Sequence, residues 1–259
     1  MLGGFAMSQS NRHLEVGTEE WLNQTAGRLT IRQAISISAQ GSAQVFSGRL
    51  SRSRIEPLEA NYQVSRVTIA RDALASVLET HRERVLERQG EALLNHACRT
   101  YLLGAALISD ELFQNVNHTA AVVAALAHDD GLANPARSGN CFTVDSAKEV
   151  DNMMHQLSAT KISTDAARAA VISHFQPKLP MNAGADAKLV AAGASADVMG
   201  FGLKRISPAL LTELWQEWPD LEFISDVRVL LKGERTRAPR TRPGVLALTG
   251  MPYLTRSGR

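Results

Sequence analysis

Cysteines, aromatic residues and long apolar runs are all scarce in this chain. Of its 259 residues only Cys98 and Cys141 are cysteines, too few for a disulfide framework. A reducing, cytoplasmic setting is therefore expected. No apolar stretch approaches the roughly 20 residues needed to span a bilayer. The longest candidates are broken by Gly104, Asp110, Asp129 or Asp197, so no membrane segment is expected. Met1 to Met7 have neither the basic flank nor the apolar core of a secretory signal. The formal net charge is only +2, so the chain as a whole does not advertise nucleic-acid binding. A phosphate-cradling loop, a dinucleotide fingerprint and a cysteine pair spaced for structural zinc are also missing. Aromatic residues make up 5% of the chain, while hydrophobic residues make up 44%. An apolar content carried largely by Ala and Leu favours an all-α fold.

What is present divides the chain into three parts. Residues 1–60 are rich in Ser, Gln, Gly and Arg and read as a partly ordered extension. Within it, Trp21 and Leu22 are the apolar contacts of a short helix over Glu19–Ala26, and Arg32–Val45 alternates weakly, as a hairpin near Gly41 would. Residues 61–232 carry regular helical spacing. Helices are expected from Val64, over Gly90–Ser109, Asn117–Asp129, Asp145–Leu157, to Phe175 from a Ser163 or Thr164 cap, over Asp186–Met199, Ala209–Trp218 and Leu221–Leu231. Ser207-Pro208 is a good helix start, with a serine cap and proline at the first helical position. Residues 233–259 hold Arg235, Arg237, Arg240, Arg242, Arg256 and Arg259 and read as a solvated basic tail.

The most informative residues are His128 and Asp129, at the end of the apolar run Thr119–Ala127. Gly131 reads as the stop signal of that helix. A buried charge is costly unless it is paired or bound to metal. A lone histidine on an apolar face is ordinarily a satisfied core residue, and a lone aspartate after an apolar run is ordinarily a cap. His96 upstream and Asp197 downstream change that balance, since the four supply two imidazoles and two carboxylates on three helices. Such a donor set suits one divalent ion, with Zn2+ foremost and Fe2+, Mn2+, Co2+ or Ni2+ also accommodated.

The order His96, His128-Asp129, Asp197 resembles the HD-domain superfamily of metal-dependent hydrolases. Asn95-His96 with Arg99, Tyr101 and Gly104 is similar to the cyanamide hydratase branch. So are Phe142 with Val144, Ser146 and Ala147, Ile172-Ser173-His174, and the Gly193–Gly200 segment. The resemblance covers roughly residues 65–205. It implies a helical bundle that binds a metal through His96, His128, Asp129 and Asp197. It also implies hydration of a small nitrile-like substrate such as cyanamide, giving urea. Two positions depart from the pattern: Asp130 stands where an aliphatic residue is usual, and Thr143 where the branch tends to carry Glu.

By that resemblance His174 belongs near the metal pocket, to orient water, hold substrate or complete a second metal site. As a helix-terminal histidine it would instead interact with free carbonyls. Asp129 and Asp130 are the carboxylates available for proton transfer. Asn95, Arg99, Phe142 and Thr143 are the candidates for substrate contact, and Arg99 is equally able to pair with an acid. Met153, Met154 and Tyr101 read as core. His13, His81, His118 and His155 read as surface, and Trp215 and Trp218 as packing residues. The competing activity is an HD phosphohydrolase, for which Arg99, Arg137 and Lys178 are the available cations. A metal-free domain used for binding or assembly is the reading from another class. The expected partner is a small molecule; a homo-oligomer built through the N-terminal arm stays open.

Overall fold

A computed structural model describes residues 14–50, 60–136 and 139–249, with the backbone alone at 44–50, 60, 61 and 249. Met1–Met7, His13, Arg137, Arg256 and Arg259 lie outside the described residues. The fold is all-α, and among the described residues the only β-type pairing is one isolated bridge, Arg28 to Thr241. The helices are α1 (Glu19–Thr25), α2 (Ile31–Leu50), α3 (Ala60–Leu107), α4 (Asp110–Gln114), α5 (His118–Ala127) and α6 (Asp130–Ala133). They continue with α7 (Phe142–Gln156), α8 (Lys161–His174), α9 (Ala185–Met199), α10 (Pro208–Glu217), α11 (Phe223–Arg237) and α12 (Arg242–Leu246). Short 3-10 turns occupy Leu203–Arg205 and Ala247–Thr249. No described helix is long and apolar enough to cross a membrane.

Local chemistry accounts for most helix starts. Ser109, Asn117, Thr160 and Ser207 each accept the backbone N–H three residues on, occupying a donor that the first helical turn leaves free. Thr160 therefore caps α8, not Ser163 or Thr164. Thr30 and Gln33 form a reciprocal capping box, and Ala34 and Ile37 pack inward one turn apart. Those contacts make α2 a helix where the weak alternation suggested a hairpin. The helix α3 is broken at Gly90, where φ is 78°.

The centre of the bundle is α5, on which every residue from Ala120 to Ala127 is buried. It is enclosed by α3, α7, α8 and α9. Among the described residues the most extensive helix contact joins α3 to α9, and it depends on missing side-chain volume. A Cβ on Gly193 would stand 1.7 Å from the Thr100 carbonyl oxygen. With that volume absent, α9 lies close against the turn of α3 that carries His96 and Arg99. Gly131 has a similar role and is not a stop signal: it lies inside α6, and a Cβ there would stand 2.2 Å from the Phe142 carbonyl oxygen.

The two ends of the described chain close a second, smaller core. Trp21, Leu22, Leu29 and Ile37 pack with Val245, Leu246, Ala147 and Ile172. Leu29 N–H donates to the Arg240 carbonyl at 2.7 Å. Arg242 is fully buried; its guanidinium donates to the Ile172 carbonyl and to the Thr143 hydroxyl and lies over the Trp21 ring. The start of the basic segment is thus part of the fold and not a solvated tail. Carbonyl and indole partners drawn from other elements make burial of that charge tolerable. His81 is another departure: it is buried, and burial lowers its pKa. His118 is half-buried and meets the Tyr101 hydroxyl at 2.7 Å.

Gly193→Ala is expected to destabilise the protein by at least about 1–3 kcal/mol, the usual cost of overpacking a close helix contact. Urea unfolding monitored by helical circular dichroism reads the loss.

Candidate metal centre

His96, His128 and Asp129 come together as three buried donors. His96 lies near the C-terminal end of α3. His128 and Asp129 form the turn between α5 and α6. This turn is held from outside by Ser146 of α7, whose hydroxyl donates to the His128 carbonyl at 2.9 Å and accepts from Gly131 N–H at 3.0 Å. Two candidate donors therefore depend on one serine that the sequence did not single out as a support.

Each imidazole is oriented by a hydrogen bond at its far nitrogen. His96 Nδ1 donates to Asp197 Oδ2 at 2.7 Å. His128 Nδ1 donates to the Ala125 carbonyl, and His174 Nδ1 to the Val171 carbonyl, each at 2.6 Å. With Nδ1 the donor in all three, each neutral ring has its lone pair on Nε2, which on His96 also meets the Thr100 hydroxyl at 3.5 Å. His96 Nε2 and His128 Nε2 face each other at 3.1 Å. They stand 3.6 Å and 3.3 Å from Asp129 Oδ2. Two lone pairs at such a distance require a proton or a cation between them. Donors bonded to one ion at about 2.0–2.1 Å lie roughly 3.0–3.4 Å apart. The residues present fit a single divalent ion.

Asp197 does not join that group. It stands behind His96, bound on its other side by Arg99: Nε to Oδ1 at 2.9 Å and Nη2 to Oδ2 at 2.8 Å. Both side chains are fully buried. Asp197, expected as a fourth ligand, is thus placed where it would orient His96 and raise its basicity if that histidine held a metal. The fork of Arg99 and the Nδ1 of His96 hold it there. Arg99 Nη1 also donates to the carbonyls of Trp218 and Pro219, and Asn95 Nδ2 donates to Pro219. Both candidate substrate contacts are thus used to anchor the turn between α10 and α11. Phe223, the first residue of α11, then stacks on the His96 ring with centroids 4.0 Å apart.

The other candidates divide sharply. His174 is brought to the site: its Nε2 is buried without a hydrogen-bond partner, 3.8 Å from Asp129 Oδ1. Phe142 packs edge-on behind His174, with centroids 5.8 Å apart. Asp130 is turned away, and Arg88 occupies both its oxygens at 2.7 and 2.6 Å. That pairing removes it from the expected role as a base. Thr143 is buried among Cys141 and Arg242, donating to the former and accepting from the latter, so it contacts no substrate. Cys98 is a buried free thiol whose pKa burial pushes up.

The electrostatics follow from burial and neighbours. Burial alone would raise the carboxyls of Asp129 and Asp197, but His128 beside the first, and His96 with Arg99 beside the second, hold both well below the usual range. Burial lowers His96 against the pull of Asp197. Burial also lowers His128, but the adjoining Asp129 outweighs it and the net shift is upward. Burial, reinforced by His128, takes His174 down to about 3. His174 is thus a neutral acceptor at ordinary pH.

A cavity of about 60 Å³ opens onto these groups. It is several times the space one water requires. Its floor is His96, His128, Asp129 and His174, and its walls come from α6, α9 and α11 together with Phe175 and Gln176. The α11 wall, Val227 and Leu231, continues from Phe223 at intervals of four, a helical spacing visible in the sequence but without a target there. No family model matches the chain, and no protein of curated function matches it.

Asp129→Ala is expected to purify without the divalent ion that the parent retains, as read by elemental analysis. Asp197→Asn should keep the first set of donors yet weaken metal affinity about 10–100-fold. It should also cost about 3–5 kcal/mol of stability, by leaving Arg99 buried and unpaired. Chelator competition and thermal unfolding measure the two effects separately.

Proposed function

We propose that this protein is an HD-type metal-dependent hydratase that adds water across the C≡N bond of a small nitrile-like substrate such as cyanamide, giving urea. The observation that carries this reading is the convergence of His96 Nε2, His128 Nε2 and Asp129 Oδ2, with donors 3.1–3.6 Å apart, at the floor of a small cavity. Zinc is the first choice of ion for this nitrogen-rich set. When bound, such an ion supplies Lewis acidity and makes water reactive near neutral pH.

The chain's own groups have separable tasks. His96 and His128 present Nε2 because Asp197 and the Ala125 carbonyl hold their opposite nitrogens. Asp129 adds a negative charge that compensates the ion in a dry site. His174 Nε2 accepts a hydrogen bond from the attacking water and fixes its approach. As a weakly basic acceptor, it orients the water and does not store its proton. The new C–O bond forms at the nitrile carbon, and the water protons pass to the nitrile nitrogen and, after tautomerisation, yield the amide of urea. A triple-bonded substrate this small needs little recognition surface, in keeping with a cavity of about 60 Å³.

Phosphoryl transfer is less well supported, because it asks for cationic groups around the reacting oxygens. Among the described residues no Lys or Arg lines the cavity. Arg99 and Arg88 are taken by Asp197 and Asp130, and Lys178 is exposed.

Metal-replete protein should release urea from cyanamide, and Asp129→Ala should release none; a metal-bound parent that hydrates neither cyanamide nor an N-alkylcyanamide overturns the proposal. His174→Ala should retain its metal but lose roughly 100-fold in kcat, the scale expected when a reactant is misplaced. Steady-state urea production, paired with metal analysis, separates that effect from metal loss.

A further inference from the structure

Cyanamide carries only a polar amino substituent, yet the cavity above the candidate metal centre is walled differently. Leu132 of α6, Val198 and Met199 of α9, Val227 and Leu231 of α11, and Phe175 form its sides. Val198, Met199 and Phe175 are only partly buried, so they keep apolar surface that a ligand can cover. Polar wall groups are few. Gln176 is one, and its amide nitrogen is occupied by the Val16 carbonyl at 2.7 Å. The other is Ser195. Among the described residues, no cationic side chain and no carboxylate other than Asp129 lines the cavity. Charged substituents would therefore lose hydration without gaining a partner.

We infer that the preferred substrate carries an uncharged alkyl substituent beside its nitrile group, as in an N-alkylcyanamide, and that the apolar walls bind this substituent. The inference rests on the hydration reading above for its reaction, but the chemistry of the walls stands apart from turnover. The reaction remains balanced: an N-alkylcyanamide plus water gives the N-alkylurea, with one C–O bond formed and both water protons retained in the product. Each methylene fully withdrawn from water is worth about 0.8 kcal/mol, or roughly fourfold in affinity. A butyl group that is only partly covered should still strengthen binding at least tenfold.

The test is calorimetric titration of the metal-replete protein with N-butylurea and with urea, beside turnover of N-butylcyanamide and cyanamide. N-butylurea should bind at least tenfold more tightly than urea, and Leu231→Ser should narrow that advantage. A ratio below tenfold, or a ratio unmoved by Leu231→Ser, overturns the inference whatever the turnover. A tenfold or greater advantage without hydration of either cyanamide upholds the apolar wall while overturning the hydratase reading. Hydration of cyanamide with no advantage for the butyl compounds does the reverse.

Discussion

Everything around the candidate metal centre depends on one buried ion pair. Arg99 and Asp197 have no solvent contact, and their two parallel hydrogen bonds leave Asp197 Oδ2 to accept from His96. Taking both charges out of water costs several kcal/mol per ion, and an apolar pair of the same volume would often be as stable. What the ion pair supplies is geometry. It fixes which nitrogen of His96 carries the proton, and therefore which one carries the lone pair facing His128. The remaining donors of Arg99 extend the same constraint to Trp218 and Pro219. The start of α11, the Phe223 ring against His96 and one wall of the cavity follow from that anchorage.

This constraint in turn rests on close helix packing. The contact between α9 and α3 has no room for a Cβ at Gly193. A long salt bridge between mobile side chains would not hold an imidazole within a few tenths of an ångström. A short one between backbones pressed together does. Ser146 performs the corresponding task on the other side, tying the His128–Gly131 turn to α7. The centre is supported from both sides by groups that would not themselves touch a metal or substrate, as is usual for sites whose function requires fixed donor geometry.

Charge is distributed to match. Arg88, Arg99 and Arg242 all lie close behind the site, and each is committed to carboxylate, carbonyl or hydroxyl partners facing away from the cavity. Among the described residues, the cavity keeps one carboxylate, three imidazoles and walls that are apolar apart from Gln176 and Ser195. Such an arrangement concentrates the electrostatics at the metal donors and leaves the remainder of the cavity to recognise shape and hydrophobicity.

The sequence by itself determined the all-α class and most of the helices, because these follow from local spacing and capping, and its resemblance to a metal-binding family singled out His96, His128 and Asp129, which the structure brings together. It also marked His174 as a neighbour of the site. Tertiary structure decided what each further polar residue does. Asp129 and Asp130 are adjacent in sequence, but one faces the histidines and the other faces Arg88, since Asp129 lies in the non-helical turn before α6 and Asp130 begins that helix. Asp197 carries the same chemistry as a ligand, yet Arg99 and His96 Nδ1 hold it behind the donor set. Arg242 belongs to a basic run, yet Trp21, Thr143 and Ile172, all far away in the chain, bury it. The weak alternation of residues 32–45 resolved as a helix through a capping box and the packing of Ile37. Pattern along a chain reports which face of an element is apolar. The partner that a buried polar group finds is fixed only when distant helices meet.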